Sequence, residues 1–364
     1  MIRFGPAGIP LSCKGRTLRD GINEVHNLGL TALEIQMIRD NVMQVYPEED
    51  DVGITIKDFI SGPGMAVEII RDDEPIADPD MPIEEDDIVI CMTSGIADSF
   101  GELYDIGDIA KREDISISLH TPYYIDLASN NDLTYRCFDT LRYAGIITNA
   151  LGGSVVTTNL GIYSKNVDLD EADANIYDNV ANLMDWWKEN NLKPKLGIEI
   201  TGQEETFGSL EQVLDICENI DGLVPVVNWT NHYCRRSKER FKLWGVSDSE
   251  DPKDEQEDFQ YVIDQVGPMC DGKIHSLFSG VEHYEWKNVR LSPIKKGDLK
   301  FETLAECLVE SKPDITIISS SPLLEHDAVY MRTIHERILN RKVAKMLRQK
   351  KKEEAEAMAA ASSE

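Results

Sequence analysis

Residues 195–229 read KLGIEITGQEETFGSLEQVLDICENIDGLVPVVNW. The runs KLGIEI and VPVVNW are short and mostly apolar, which is typical of buried strands. Between them, GSLEQVLDICENI places apolar residues near a helical period and predicts an amphipathic helix. A strand, a helix and a second strand in this order form a unit whose strands lie parallel and are joined by a right-handed crossover.

The same alternation of apolar runs and amphipathic stretches continues along the chain. The strand candidates are, in order, MIRFG, LTALEIQM, ISISLH, SVVTTN, KLGIEI, VPVVNW, KIHSLF and DITIIS. Further helical candidates are TLRDGINEVHNLG, DLTYRCFDTLRYAGIITNALG, DEADANIYDNVANLMDWWKENN and FETLAECLVES. Eight such strands in 364 residues predict an α/β fold, a closed (β/α)8 TIM barrel, rather than an open sheet. No GxGxxG motif follows the first strand, which weighs against a dinucleotide-binding fold.

Residues 45–97 interrupt this alternation. They contain two strand candidates, MAVEII and DDIVICM, separated by the acidic, proline-containing stretch PDMPIEEDD. We predict a small β-rich insertion here, after the second strand, within a barrel formed by residues 1–44 and 98–345. The insertion can be a lid, an oligomer contact or a passive decoration; the last two are favoured because it holds no obvious reactive cluster. Residues 346–364 are predicted to be a charged tail, helical or disordered.

The chain is strongly acidic, with 66 Asp and Glu residues against 37 Lys and Arg residues and a formal net charge of −29. This balance disfavours nonspecific binding to nucleic acid or to an anionic membrane, although a local basic groove could still bind phosphate. The seven cysteines are scattered without a CxxC pair, which is typical of reduced thiols. No signal peptide and no apolar run of about 18 residues are recognisable, so we predict a cytoplasmic protein without a membrane span.

Chemistry in such a barrel takes place at the C-terminal ends of the strands. Polar residues stand at most of these ends. They are Glu34, Gln36, His120, Asn159, Glu199, Asn228, Asn231, His232, His275, Ser319, Ser320 and Ser321. The sixth strand end is unusual because two neutral amides, Asn228 and Asn231, occupy places where metal-binding barrels often carry an acid and a histidine.

Four motifs resemble one known family. HTPYYIDL, LGIEITGQ, the N-x-x-N stretch at 228–231 and LFSGVEHY fall in the order and spacing of endonuclease IV, a member of the xylose isomerase-like barrels. The resemblance spans nearly the whole predicted barrel. It implies a three-zinc cluster on the strand ends that activates water and cleaves DNA at abasic sites.

Most of the metal ligands implied by this resemblance are missing. His120 and Glu199 match two of the nine expected ligands. The other positions fall at Asn159, Asn228, Asn231, Leu277, Ser320 and the stretch 289–291. Because zinc prefers imidazole, thiolate and carboxylate ligands, a three-zinc centre is not expected here. The amides keep the shape of the lost ligands without their charge, so the barrel mouth is predicted to remain a polar pocket, unless the amides only satisfy one another or water.

We therefore predict a metal-depleted relative: a pseudo-nuclease, or a barrel that binds a small or phosphate-containing ligand. The predicted ligand-binding residues are Asn159, Asn228, Asn231, Arg235, Arg290 and Ser320. No cofactor is expected. The alternative is a metal-dependent enzyme, either an abasic-site endonuclease or a one-metal hydrolase or sugar isomerase. In that case His120 and Glu199 are catalytic, and one zinc or other divalent ion binds His120, Glu199 and His275, with His232 or His283 as substitutes for His275.

Overall fold

A computed structural model describes residues 1–163, 168–244, 252–284 and 288–361. In chain order, its strands are β1 (Ile2–Pro6), β2 (Ala32–Gln36), β3 (Asn41–Val45), β4 (Met65–Arg71), β5 (Glu74–Ile76), β6 (Ile88–Thr93), β7 (Ser116–His120), β8 (Val155–Thr158), β9 (Lys195–Glu199), β10 (Leu223–Asn228), β11 (Lys273–Phe278), β12 (Gly280–Tyr284), β13 (Asn288–Ser292) and β14 (Asp314–Ser319). The α-helices are α1 (Leu18–Asn27), α2 (Phe100–Arg112), α3 (Asp132–Ala150), α4 (Leu169–Glu189), α5 (Leu210–Asn219), α6 (Trp229–Trp244), α7 (Pro252–Val266), α8 (Phe301–Ser311) and α9 (Glu325–Ala361).

Eight of these strands form the barrel. Their order is β1-β14-β11-β10-β9-β8-β7-β2, and every neighbouring pair is parallel. The two ends of this sheet meet, because Ala7 forms a parallel bridge with Glu34 and the Gly8 N–H donates to the Glu34 carbonyl at 2.8 Å. All eight predicted strands are present, and the predicted α/β barrel is confirmed.

Helices α1 to α5 begin where the local sequence supplies a side-chain cap. Thr17 and Asp20 form a capping box at the start of α1, and Ser209 and Gln212 form another at the start of α5. Each pair satisfies two backbone N–H groups that the first helical turn leaves without partners. The apolar side chains of α1 and α5 are buried, and these helices contact β2 and the pair β9 and β10, respectively.

The insertion is a four-stranded antiparallel sheet of order β3-β6-β4-β5. Both predicted strands, β4 and β6, are present, and the sheet already begins at Asn41, before the predicted boundary at residue 45. Glu68 of β4 holds this sheet against α3: its buried carboxylate pairs with Arg142 and accepts a hydrogen bond from the Tyr143 hydroxyl at 3.0 Å. Burial raises the pKa of Glu68, and the Arg142 charge only partly opposes this. The sheet is therefore attached to the barrel through a desolvated ion pair.

Two features near the ends of the strands were not predicted from the sequence. The antiparallel hairpin of β12 and β13 follows β11 directly. At the start of α9, Glu325 is buried and accepts hydrogen bonds from the backbone N–H groups of Leu11 and Ser12, both at 2.9 Å. This carboxylate therefore fixes the loop between β1 and α1.

The predicted tail, from residue 346, continues α9 as a helix to Ala361. Among the described helices, none is long and apolar enough to cross a membrane. Within the same part of the chain, the seven cysteines form no disulfide.

Candidate functional site

The strand register places polar residues from distant parts of the sequence on the inner side of the barrel. On β10, Val226 pairs with Glu199 of β9 on one side and with His275 of β11 on the other. Across the barrel, Gln36 of β2 pairs with His120 of β7. Because side chains alternate along a strand, residues in register point to the same side of the sheet.

His120 and Glu199 form a buried ion pair on this inner side. The His120 Nε2 atom lies 2.9 Å from Glu199 Oε2, and its Nδ1 atom lies 2.7 Å from the Thr121 carbonyl oxygen. Both ring nitrogens face acceptor oxygens, and this arrangement favours the doubly protonated, cationic ring. Burial alone would lower the pKa of His120, but the hydrogen bond to Glu199 and its charge outweigh burial and raise this pKa to about 9.

The amides of the sixth strand end complete this network. The Asn228 Nδ2 group donates to Glu199 Oε1 at 2.6 Å, and its Oδ1 atom accepts the Asn231 N–H at 3.0 Å. The Asn231 side chain donates in turn to the Ile200 carbonyl at 3.1 Å. An aspartate at position 228 would repel Glu199 unless a cation lay between them, whereas the amide bonds it directly. This explains in physical terms why an amide fits where a charged ligand is usual.

Glu34 and His275 form a second buried pair; both are predicted from the sequence as strand-end residues, and His275 as a candidate metal ligand, but their pairing is not predicted. The His275 Nε2 atom lies 2.9 Å from Glu34 Oε2, and the Gln36 amide donates to Glu34 Oε1 at 3.2 Å. Burial alone would raise the pKa of Glu34, but the hydrogen bond and charge of His275 outweigh it and lower this pKa. The sequence did contain one sign of this pair: Glu34 lies inside the apolar run LTALEIQM, and burying a carboxylate is costly unless it is paired.

The donors at the mouth do not fit the metal that the resemblance implies. His275 is bonded to Glu34 rather than converging with His120 and Glu199. His232 points elsewhere and lies 3.1 Å from Asp258, while the His283 side chain is outside the described residues. Across the ranges that the structure describes, no three His, Cys, Asp or Glu side chains form a group that could hold an ion.

The predicted basic residues are engaged in contacts with the protein. The Arg235 guanidinium donates to the Thr201 hydroxyl at 3.2 Å and to the Gln203 carbonyl at 3.1 Å, which fixes the loop after β9. Arg290 lies on the hairpin, and its Nε donates to Glu282 at 2.9 Å. Ser320 donates its backbone N–H to the Phe278 carbonyl at 3.1 Å.

A cavity of about 480 Å³ opens above Glu199, and we call it the mouth pocket. It is lined by Tyr123, Ile125, Asn159, Gly161, Ile162, Glu199, Thr201, Gly202, Gln203, Thr206, Thr230, Asn231, Cys234, Val281, Val289, Arg290 and Leu291. Tyr123 lies beside the His120 ring, with 4.9 Å between the ring centroids. In the described part of the chain, the Asn159 Oδ1 atom is buried and has no hydrogen-bond partner.

The mouth pocket combines four of the predicted site residues and leaves others out. Asn159, Glu199, Asn231 and Arg290 line it. Other predicted residues are not among its lining: His120, Asn228, Arg235, His275 and Ser320. A parallel eight-stranded barrel with a pocket of mixed polar and apolar lining at the C-terminal ends of its strands defines the general class of protein.

The chain belongs to the family of xylose isomerase-like TIM barrels, whose model matches residues 65–318. Endonuclease IV from Thermus thermophilus has a similar structure, with a TM-score of 0.56, 14% sequence identity and coverage of 92% of this chain and 99% of that one. These findings confirm the family that the four motifs indicate.

Sugar epimerases are also structurally similar. L-ribulose 3-epimerase matches with a TM-score of 0.55 and 11% identity, covering 95% of this chain and 98% of that one. D-psicose 3-epimerase with D-tagatose, from Clostridium cellulolyticum, matches with a TM-score of 0.52 and 9% identity, covering 92% and 99%. Among curated proteins, Uncharacterized protein MJ0133 of Methanocaldococcus jannaschii is 24% identical over 228 residues, or 60% of this chain and 76% of its own. Identities this low show a common fold only.

Proposed function

We propose that this protein is a metal-independent barrel whose mouth pocket binds an uncharged, hydroxyl-rich small molecule, such as a sugar or a polyol. The ionised groups beside the mouth pocket, His120 and Glu199, support this proposal because they already neutralise one another. His120 pairs with Glu199, and the second Glu199 oxygen accepts from Asn228. An anionic ligand would lie above a carboxylate, and a cationic ligand would compete with an imidazolium, so a neutral ligand disturbs this pairing least.

The remaining lining favours hydroxyl groups. Amides and hydroxyls both donate and accept hydrogen bonds, and the pocket offers them at Asn159, Gln203 and Thr206. The Thr230 hydroxyl is already engaged, because it donates to and accepts from the Ser279 backbone. A sugar hydroxyl also donates and accepts, so it can satisfy such groups from either side. The pocket volume of about 480 Å³ lies within the usual range for small-molecule sites, about 300 to 1,000 Å³.

One observation supports the proposal most directly. The Asn159 Oδ1 atom is buried without a partner in the part of the chain that the structure describes, and an unpaired buried acceptor costs about 1 to 3 kcal/mol. A ligand hydroxyl that donates to this atom would remove that cost. Two of the structurally similar proteins are sugar epimerases by name, which is compatible with a sugar-like ligand at the same end of this fold.

Binding to defined panels tests the proposal. Calorimetry with neutral pentoses, hexoses and alditols should find a ligand, and sugar phosphates of the same series should bind more weakly. Asn159→Ala should weaken that binding about tenfold, the effect of one net hydrogen bond. Asn219→Ala is the matched control, because Asn219 is exposed, is not among the residues that line the mouth pocket, and donates to the Asp215 carbonyl of its own helix.

The alternative, a metal-dependent enzyme of the same superfamily, predicts different results. Under our proposal, elemental analysis should find far less than one zinc ion per chain, and chelation should leave ligand binding unchanged. Stoichiometric zinc whose removal abolishes binding, or cleavage of duplex DNA at an abasic site, would refute the metal-independent proposal and favour the nuclease, hydrolase or isomerase.

A further inference from the structure

A second cavity of about 490 Å³ adjoins the mouth pocket, and we call it the apolar recess. It is lined by Gln36, Met37, Ile38, Thr121, Pro122, Tyr123 and Tyr124. Tyr123 lines both cavities, so the two meet across its ring.

The walls of the recess expose apolar surface that the rest of the described chain leaves uncovered. Ile38 is 78% exposed and Tyr123 is 67% exposed. Contact with water at such side chains is unfavourable by about 25 cal/mol for each Å² of apolar surface. Clustered exposed apolar residues beside a pocket are typical of a binding surface, whereas single ones are ordinary.

The recess is held in a fixed shape. The Tyr124 hydroxyl donates to Asp40 Oδ1 at 2.6 Å, and the other Asp40 oxygen accepts from the Thr140 hydroxyl on α3. Two further polar side chains of its lining are also engaged: the Gln36 amide donates to Glu34, and the Thr121 hydroxyl donates to Thr158. A recess formed in advance costs less entropy on binding, and one whose polar groups are mostly engaged favours an apolar occupant.

We infer that the apolar recess binds the flat apolar part of the same ligand whose hydroxyl-rich part fills the mouth pocket, as in a glycoside with an aromatic aglycone. This inference rests on the proposed function. The shared Tyr123 argues for one occupant across both cavities, because the two cavities meet at this side chain and a molecule that extends past it from one cavity enters the other. The mouth pocket has a mixed polar and apolar lining, whereas the recess is mostly apolar. This difference sets the substrate class: one neutral, hydroxyl-bearing end and one apolar end.

Matched pairs of glycosides test this inference. Methyl and 4-nitrophenyl glycosides of glucose, galactose, mannose and xylose would be titrated into the full chain by calorimetry. For the sugar that binds, the 4-nitrophenyl glycoside should bind at least ten times more tightly than the methyl glycoside. Ile38→Ser should remove most of that difference and leave the affinity for the methyl glycoside unchanged.

The control is Ile60→Ser, because Ile60 is 82% exposed on the insertion and is not among the residues that line either cavity. It should leave both affinities unchanged. Equal affinities within every bound pair, or equal weakening of both glycosides by Ile38→Ser, would overturn the inference while leaving the proposed function standing. If neither member of any pair binds and free sugars and polyols also fail, the proposed function itself is wrong and the inference fails with it.

Discussion

Replacing Asn228 with aspartate would put a second carboxylate directly beside Glu199. In the native protein the Asn228 amide donates to Glu199 Oε1 at 2.6 Å, and both side chains are buried. The variant exchanges this donor for an acceptor of nearly the same shape. Any change in stability therefore reports charge and hydrogen bonding rather than volume.

The added carboxylate can stay ionised beside Glu199, or one of the two carboxyls can take up a proton. The response with the lower free-energy cost sets the size of the effect. Two unit charges at this separation repel by about 6 kcal/mol at an effective dielectric constant of about 20. Placing a proton on a carboxyl at pH 7 costs about 4 kcal/mol, since its ordinary pKa is near 4 and each unit is worth about 1.4 kcal/mol. The pair will therefore hold one proton, and the hydrogen bond that the protonated carboxyl donates to the remaining carboxylate offsets part of this cost. We expect a loss of about 2 to 3 kcal/mol in the free energy of unfolding at pH 7.

The sign of the pH dependence distinguishes this mechanism from a lost contact. The folded Asn228→Asp variant binds a proton that the unfolded chain releases, so its stability falls as pH rises. Urea denaturation followed by circular dichroism should therefore show a deficit that shrinks by roughly 1.4 kcal/mol per pH unit on lowering the pH toward 5. Asn228→Ala, the control, loses the donor without adding charge and should show a deficit that does not change with pH. An Asn228→Asp deficit equal at pH 5 and pH 7 would refute the argument.

Three further predictions concern other buried charges. Since the pKa of His120 is raised from 6.5 to about 9, its contribution is fully present below pH 6.5 and is lost as pH rises through 9. His120→Gln should therefore remove up to about 3 kcal/mol of this pH-dependent stability, measured by denaturation at pH 7 and pH 10. Glu68→Gln should lower the free energy of unfolding by about 3 kcal/mol, because it leaves Arg142 without its buried partner. The control, Glu74→Gln on the exposed edge of the same sheet, should change this free energy by less than about 0.5 kcal/mol. Glu325→Gln should cost about 1 to 2 kcal/mol and speed hydrogen exchange at the two backbone N–H groups it holds; unchanged exchange would show that the loop before α1 does not depend on this carboxylate.

The fold could be predicted from the sequence because its signals are local. An apolar run of strand length and an amphipathic stretch of helical period are properties of neighbouring residues, and all eight barrel strands lie where these patterns occur. The hairpin formed by β12 and β13 was missed because LFSGVEHY was interpreted through its resemblance to a metal-binding motif. Its strand register depends on pairing between segments that the motif does not reveal.

The candidate site could be predicted only in part. His120, Glu199 and Asn228 were recognised as strand-end residues, and they lie in one hydrogen-bonded network. Glu34 was not recognised as a member of a buried pair, because a single carboxylate in an apolar strand has no local partner to reveal its role. Its partner, His275, lies 241 positions away in sequence.

The order of apolar and polar residues alone determined that this chain forms an eight-stranded barrel, and which residue types stand at the ends of its strands. Only the tertiary structure decided which of them are bonded: Glu199 to His120 and Asn228, and Glu34 to His275. The physical reason is the separation along the chain of the residues that each effect involves. Burial and periodicity act between near neighbours along the chain, whereas charge pairing depends on distances of a few ångströms that only closure of the barrel sets.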